Sequence, residues 1–439
     1  MKYLHLMSFV CLGLVQILAA GEKPNFVVIF TDDQGYADLS CFGGEHVRTP
    51  RIDKMAEEGL KLTSFYAQPV CGPSRTALLS GCYPPRTAAD GRGWQLKGSA
   101  VTVAEVLKQS GYATACIGKW DVSGRKDKPG MMPNDQGFDE FFGTWGANDG
   151  GEVVLRRNRE RVESTRDMAS LTRRYTDEAI DFIRRHREEP FFVYLAHTMA
   201  HVMIDASEPF KGRSEGDLYG DVVEEIDWYT GRILDALKDL GLERDTIVLF
   251  TCDNGPWCQR EERYRKAHGG HLATGSTGPL RGHKGTSWEG GVRVPCVVWG
   301  PGCIPAGRVN PGIVSTIDLL PTLAFMGGGS LPEEKIDGVD QSALFTGKSE
   351  ASARDTFLYY RGGRLEAVRK ENWKLFLWRR GPGGVKQKWP VFGEGGYRLY
   401  DLENDLGEEN NLADAYPDVV DRLRKIAEVA CVEIGEREE

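Results

Sequence analysis

Residues 25–33 read Asn-Phe-Val-Val-Ile-Phe-Thr-Asp-Asp, an apolar and β-rich run that ends on two carboxylates. Such a run, lacking polar alternation, reads as a strand buried on both faces. The pattern recurs three times. Strands are expected over Tyr112 to Ile117, leading to Lys119; over Phe191 to Ala196, leading to His197 and His201; and over Thr246 to Thr251, leading to Asp253 and Asn254. Amphipathic helices lie between them. Pro50 to Glu58 has Thr49 as N-cap, Pro50 in the first position and Gly59 just past its end. Thr102 and Glu105 form a capping box for a helix reaching about Ser110. Residues 172–187 are a charged amphipathic helix. Asp221 to Leu240 sets Val222, Val223, Ile226, Tyr229, Ile233, Leu237 and Leu240 on one face. Apolar runs alternating with helices imply an α/β fold: a mainly parallel central sheet flanked by helices.

After Met326 the texture changes. Gly327-Gly328-Gly329 breaks the pattern, and the strands that follow are short: TFLYYR, WKLFLW and YRLYDL, then a helix near Asp418 to Val429. The expected division is a large domain over 21–326 and a smaller C-terminal α+β subdomain, with a small antiparallel sheet and terminal helix, over 327–439.

Four strand ends thus carry carboxylates, an amide, a lysine and histidines. In open parallel sheets ligands bind at the carboxyl ends of strands. One strand ending in Asp is only a turn; four converging in this way mark a site. Asp32, Asp33, Asp253 and Asn254 are hard oxygen donors, suited to Ca²⁺ or Mg²⁺, whereas zinc would want His or Cys. A second signal is Cys71-Gly72-Pro73-Ser74-Arg75-Thr76-Ala77-Leu78-Leu79-Ser80-Gly81. Pro73 suits a first helical turn, which puts Cys71 at a helix amino end. Unpaired N–H groups there favour a thiolate, and Arg75 lies one turn along to pair with it. On chemistry alone this is either a cysteine nucleophile or a buried cysteine before a helix.

The Cys71-x-Pro73-Ser74-Arg75 run followed by Leu79-Ser80-Gly81 resembles the type I sulfatase signature, in which the cysteine is converted after synthesis to formylglycine. Supporting motifs follow in that family's order: Asp32 to Tyr36 (DDQGY), Gly118-Lys119-Trp120, Ala196 to His201 (AHTMAH), Thr251 to Pro256 (TCDNGP), Gly278 to Gly291, Ser315 to Thr322 (STIDLLPT) and Leu399 to Leu402. The resemblance covers nearly the whole mature chain. It implies the alkaline-phosphatase-like fold and hydrolysis of sulfate esters, of the arylsulfatase and N-acetylgalactosamine-sulfatase kind. By the same resemblance Asp32, Asp33, Asp253 and Asn254 hold one Ca²⁺, in preference to Mg²⁺, together with modified Cys71. One hydroxyl of the hydrated formylglycine attacks sulfur and the second later expels sulfate, which a plain serine lacks the means to do. Arg75 would stabilise the nucleophile, Lys119 and Lys284 would bind the sulfate oxygens, and His201 would lie near the leaving oxygen. His197 falls earlier, as a substrate contact or as strand-end packing.

The chain departs from the family pattern in places. Asp121 stands where a histidine usually follows Gly-Lys-Trp, and a carboxylate there repels sulfate unless it pairs with Lys119 or turns away. His283 stands beside Lys284 where glycine is usual, and is expected to take over part of the missing imidazole's role at the substrate. Gly72 replaces a commoner Ser, Thr or Ala, while Ala200 and Met203 replace prolines around His201. Two alternatives remain: a phosphodiesterase or phosphonate monoester hydrolase of the same superfamily, and a catalytically inactive relative that binds sulfated glycans, which Asp121 favours. The paired lysines and the all-oxygen metal set favour sulfate. A sulfated sugar or polysaccharide is the preferred substrate and an aryl sulfate the other; the loops at 90–97, 124–135 and 257–271, with His268 and His271, are the places expected to set the choice.

Bulk properties agree with a soluble enzyme of 439 residues, 41% hydrophobic and 27% charged, with net charge -9. No Lys/Arg block tracks a nucleic-acid backbone, so nucleic acid is not an expected partner. Lys2, the apolar run Leu6 to Leu18 and Ala19-Ala20 read as a signal peptide over 1–20, with no later span able to cross a bilayer, so the mature protein is expected to be secreted or periplasmic. The formylglycine-generating enzyme is then a partner in maturation. Of ten cysteines, Cys11 leaves with the signal. Cys252/Cys258 and Cys296/Cys303 are close in sequence, but disulfide pairing stays open.

Overall fold

The computed structural model describes residues 23–377 and 396–435; the expected signal peptide, 1–20, lies outside them. Two sheets are present. The larger comprises β1 (Asn25–Thr31), β2 (Leu60–Tyr66), β3 (Ala113–Lys119), β4 (Glu140–Thr144), β5 (Val153–Arg157), β6 (Glu160–Thr165), β7 (Phe191–Ala196), β8 (Thr246–Cys252), β9 (Arg293–Trp299), β10 (Arg308–Asn310) and β11 (Val314–Ser315). Their order is β10-β2-β9-β8-β1-β7-β3-β4-β5-β6, with β11 also on β2. β1 is central and pairs in parallel with β7 (Phe26↔Phe192) and β8 (Phe26↔Ile247). β3 continues the parallel run beyond β7. β9 is antiparallel to both β8 and β2. The carboxyl ends of β2, β8, β1, β7 and β3 therefore share one edge with the amino end of β9.

β1 explains why both faces of this sheet are covered. Every residue of it is buried, and side chains alternate across the pleat. Val27 and Ile29 join a core with Ile52, Met55, Ile180, Ile183, Val222 and Ile226, from the helices Pro50–Glu57, Leu171–Arg185 and Asp217–Asp239. Phe26, Val28 and Phe30 join another with Leu78, Leu79, Val103, Leu107, Leu320 and Leu323, from Cys71–Ser80, Val103–Gln109 and Leu319–Gly327. The capping box at Thr102 and Glu105 is formed. Asp217–Asp239 begins four residues before the expected Asp221. Gly220 weakens the helical signal there, but Tyr219 is buried and donates its hydroxyl to Asp38 at 2.6 Å, which holds the extra turn.

The smaller sheet is antiparallel in chain order: β12 (Thr356–Arg361), β13 (Arg364–Lys370), β14 (Trp373–Phe376) and β15 (Arg398–Asp401). Leu375 and Leu399 pack on Val420 and Leu423 of the helix Pro417–Glu433. Phe357, Tyr359 and Tyr400 meet Tyr66, Trp288 and Ile317 of the larger unit. A charged lock lies within that contact. Lys374 Nζ, fully buried, sits 3.0 Å from Glu289 and 2.7 Å from Glu408, and Tyr66 and Tyr359 donate to Glu289. Cys252, Cys258, Cys296 and Cys303 are free thiols, so neither of the pairs close in sequence is bridged. No helix among the described residues is long and apolar enough to cross a membrane.

Lys374 faces two buried carboxylates, so Lys374→Ala takes the counter-charge from Glu408 and leaves Glu289 only the longer contacts to Arg293 and Arg369. The variant is expected to lose about 3–5 kcal/mol of unfolding free energy in a denaturant titration. A loss under about 1 kcal/mol would show that this lock does not hold the two sheets together.

Candidate active site

Topology brings six chain segments to one spot. β1 runs into Asp32 and Asp33, β8 into Asp253 and Asn254, and β3 ends at Lys119 itself. β2 leads to the helix Cys71–Ser80, the turn before β9 carries Lys284, and the loop after β7 carries His201. Backbone ties hold these segments in register. Asp32 N–H donates to Met199 and Ala200 N–H to Asp32, which fixes the His201 loop against β1. Lys284 N–H donates to Pro256 and Gly285 N–H to Pro69, which fixes the lysine between the Asn254 turn and Cys71. Ser74 Oγ accepts from Gln68 N–H and also meets the carbonyl of Asp253, so the Cys71 helix is fastened to the end of β8.

Asp32, Asp253, Arg75 and Lys119 are all 0% exposed. Arg75 Nη2 reaches Asp253 at 2.8 Å and Asp32 at 3.1 Å, and Nη1 donates to the Lys119 carbonyl at 3.0 Å. Lys119 Nζ lies 2.6 Å from Asp32, and Lys284 Nζ lies 2.6 Å from Asp33. Burial works against ionising Asp32, but Lys119 and then His201 and Arg75 prevail and hold its carboxyl far below the usual range. Asp253, pressed by burial and by the charge of Asp32, is pushed up to about 7.

Two buried acceptors in this cluster have no hydrogen-bond partner among the described residues, Asp32 Oδ1 and Asn254 Oδ1. An orphaned buried acceptor costs about 1–3 kcal/mol, so such a pair beside three carboxylates fits a cation. Ligand atoms of Asp32, Asp33 and His201, and those of Asp32, Cys71 and Asp253, lie within 4.8 Å of one another. The cluster could therefore hold a metal ion, and the oxygen-rich donor set is that of a hard one.

Cys71 opens its helix as the sequence suggests, but not as a thiolate. Burial, and then Asp121 against the opposing pull of Lys119, push the thiol up to about 12. Its Sγ donates to Asp121 Oδ2 at 3.2 Å. The helix end does not outweigh complete burial beside a carboxylate. Arg75 likewise departs from expectation: its guanidinium turns to Asp32 and Asp253, where it acts as a strut between β1 and β8.

Asp121 is brought in and paired. It lies 3.3 Å from Lys119 Nζ, and Arg125 Nε donates to it at 2.8 Å. His201 is buried; its Nδ1 donates to the Val202 carbonyl, and Nε2 stands 3.3 Å from Asp149 and 3.6 Å from Asp33. Burial and then Lys284 lower its pKa. His197 is not brought to the cluster: it is buried with its ring against Tyr175, and burial lowers its pKa to about 3. Nor does His283 meet Asp121. Its Nδ1 faces the Lys284 carbonyl, and no described hydrogen bond or ion pair joins it to that carboxylate. His268 accepts from Ile204 N–H, and His271 pairs with Asp217, so both serve loop structure. Arg125 and Trp257 lie in loops expected to set substrate choice but were not singled out there, and Asp149 was missed. Trp257 lies 5.6 Å from the His201 ring and under Lys284 Nζ at 4.5 Å. These three sit in loops without a periodic signal.

The sulfatase family profile matches residues 24–328, and that of the C-terminal region of aryl-sulfatase matches 352–436. The chain is 36% identical to N-acetylgalactosamine-6-sulfatase of Canis lupus familiaris, over 82% of this chain and 72% of the relative. It is 35% identical to steryl-sulfatase of Mus musculus, over 81% and 71%. The crystal structure of the PsFucS1 sulfatase from Pseudoalteromonas sp. superposes with a TM-score of 0.82 at 26% identity, covering 95% of this chain and 92% of that one.

Gly72 has a local cause. A Cβ on it would lie 2.5 Å from Cε3 of Trp94, whose ring closes over the start of the Cys71 helix. Gly72→Ser is expected to cost about 1–3 kcal/mol in thermal or chemical unfolding, and the double variant with Trp94→Ala to regain most of it. Equal stability of Gly72→Ser and the parent would show the ring is free to move aside.

Proposed function

The chain belongs to the sulfatase family and is a sulfuric ester hydrolase; on that footing we propose that its esters are those of a carbohydrate, cleaved with a formylglycine made from Cys71 and one Ca²⁺. Asp32, Asp33, Cys71, Asp253 and Asn254 would hold the ion. When present, the ion supplies charge neutralisation and polarises the bound sulfate, and the formylglycine supplies the attacking oxygen.

The observation that carries this reading is the pair of buried lysines, Lys119 and Lys284, whose charges both fall on Cys71. Together they present a fixed positive field to a sulfate group at residue 71, in a place closed to water, where such a field is strongest. Arg75 sits against both Asp32 and Asp253 and offsets part of their mutual repulsion, which leaves them placed to share a cation. Because His201 Nδ1 is committed to a carbonyl, Nε2 carries a proton only as imidazolium. Burial and Lys284 favour the neutral ring, while Asp33 and Asp149 lie close enough to hold the imidazolium when Nε2 takes up a proton for the leaving alcohol.

The carbohydrate assignment rests on the mouth of the site. The half-buried face of Trp257 suits the apolar face of a sugar ring, and Asp149 beside Arg125 suits its hydroxyls. The N-acetylgalactosamine-6-sulfatase relative agrees in kind. Residues 1–20 carry the further proposal that the enzyme is exported.

Matured protein should yield a tryptic peptide containing residue 71 that is lighter than its cysteine form and reacts with a hydrazide. It should release sulfate from N-acetylgalactosamine 6-sulfate in preference to a steryl sulfate. Lys119→Ala and Lys284→Ala should each lower kcat/KM at least about a hundredfold. Chelation should abolish turnover, and Ca²⁺ should restore it better than Mg²⁺. Preference for the steryl ester overturns the carbohydrate assignment; full activity with an unmodified thiol overturns the formylglycine.

A further inference from the structure

Asp121 puts a negative charge where a sulfate ester would least tolerate one. Its side chain is wholly buried, and Oδ2 lies 3.2 Å from Cys71 Sγ. Lys119, 3.3 Å away, is already engaged by Asp32 at 2.6 Å and does not neutralise both. Asp32, Asp33 and Asp253 belong to the set proposed to share Ca²⁺; Asp121 does not, and a cation of its own reaches it from the surface. Arg125, whose side chain is 40% exposed, donates from Nε to Asp121 Oδ1 at 2.8 Å and from Nη1 to Asp149 Oδ2 at 2.5 Å. Asp149 Oδ1 in turn stands 3.3 Å from His201 Nε2.

One guanidinium thus bridges two walls of the site, the side of residue 71 and the side of the leaving alcohol. The local chain is shaped for it. Asp121 and Arg125 are both left-handed, with φ of 54° and 62°, which folds residue 125 back onto the carboxylate four positions earlier. Gly146 leaves room beside it, since a Cβ there would lie 3.2 Å from Arg125 Cδ. Burial works against charge on Arg125, and Asp121 and then Asp149 more than offset it.

Resting on the sulfatase reading, we propose that Arg125 is a positioning residue for sulfate ester hydrolysis: it cancels the charge of Asp121 beside residue 71 and holds Asp149 against His201. A planar fork with several donors can serve two carboxylates at once; a lysine point charge serves one.

The test is a cycle of Arg125→Ala, Arg125→Lys, Asp121→Asn and the Asp121→Asn/Arg125→Ala pair. Asn is chosen because it tolerates the left-handed backbone at 121. Two quantities are read: kcat and KM for 4-nitrophenyl sulfate, and affinity for inorganic sulfate by calorimetry. Arg125→Ala should weaken sulfate binding at least about tenfold and lower kcat/KM roughly a hundredfold, as expected when a buried charge loses its partner. Arg125→Lys should recover sulfate affinity but only part of kcat. In the double variant sulfate affinity should return close to the parent's, since no charge at 121 needs cancelling, while kcat stays reduced through Asp149. The proposal is overturned if Arg125→Ala binds sulfate as the parent does, or if Asp121→Asn brings no recovery. Failure of the parent to release sulfate from any ester would count against hydrolysis, whereas the binding cycle decides the role of Arg125 by itself.

Discussion

Asp32, Asp33 and Asp253 stand at one edge of the sheet, shut off from water, where an ionised carboxylate survives only beside fixed positive charge. Arg75 answers that demand for Asp32 and Asp253 together, Lys119 for Asp32, and Lys284 for Asp33. The cations come from three separate elements, so the charge balance also sets how those elements dock. The Cys71 helix is held by Arg75 from its middle and by Ser74 near its start. The turn before β9 is held by Lys284. The parallel order of β8, β1, β7 and β3 is what lets these charges meet, since a reversed strand would carry its terminal residues to the far edge.

The same charge density shapes the chemistry. A sulfate ester is an anion, and a site built for it keeps cations in place before the substrate arrives, at a cost in stability that the surrounding fold carries. Residue 71 lies in the middle of this field yet, as a cysteine, is held neutral by burial and by Asp121. A plain thiol is thus a poor nucleophile at this position, which agrees with a nucleophile supplied by modification. Asp121 and Arg125 show how one unusual charge is absorbed: the carboxylate enters the cluster, and its counter-charge comes from a loop at the rim.

Much of this was legible in the sequence. β7 and its neighbours follow apolar runs that admit only a doubly covered strand, and the strand boundaries at Asn25, Phe191 and Thr246 agree with the pairing. The metal-type donors were legible because they follow strand ends, where parallel topology makes position predictable. Gly72 and Asp121 could be noticed as unusual, but their reasons lay elsewhere in the chain, in the ring of Trp94 and the guanidinium of Arg125. His197 and His283 show why residue type near a motif does not fix a contact: His197 takes the strand-end packing that was one of its two expected roles, and His283 turns one ring nitrogen to the backbone.

The sequence by itself determined the residue types at each strand end, the helices that cover the sheet, and the position of Cys71 at the start of a helix. Those are local matters, decided by periodicity, capping and propensity over a few residues. Only the tertiary structure decided which cation serves which carboxylate, that Arg75 is a strut between two strands, and that Arg125 and Asp149 complete the wall beside His201. Arg75 and Asp32 are 43 residues apart, and Lys284 and Asp33 are 251 apart, yet each pair meets within hydrogen-bonding distance. A charged hydrogen bond is made or lost over a fraction of an ångström. Side-chain periodicity specifies a face but not a distance, and loop residues have no period at all, so these pairings exist only once the sheet has closed.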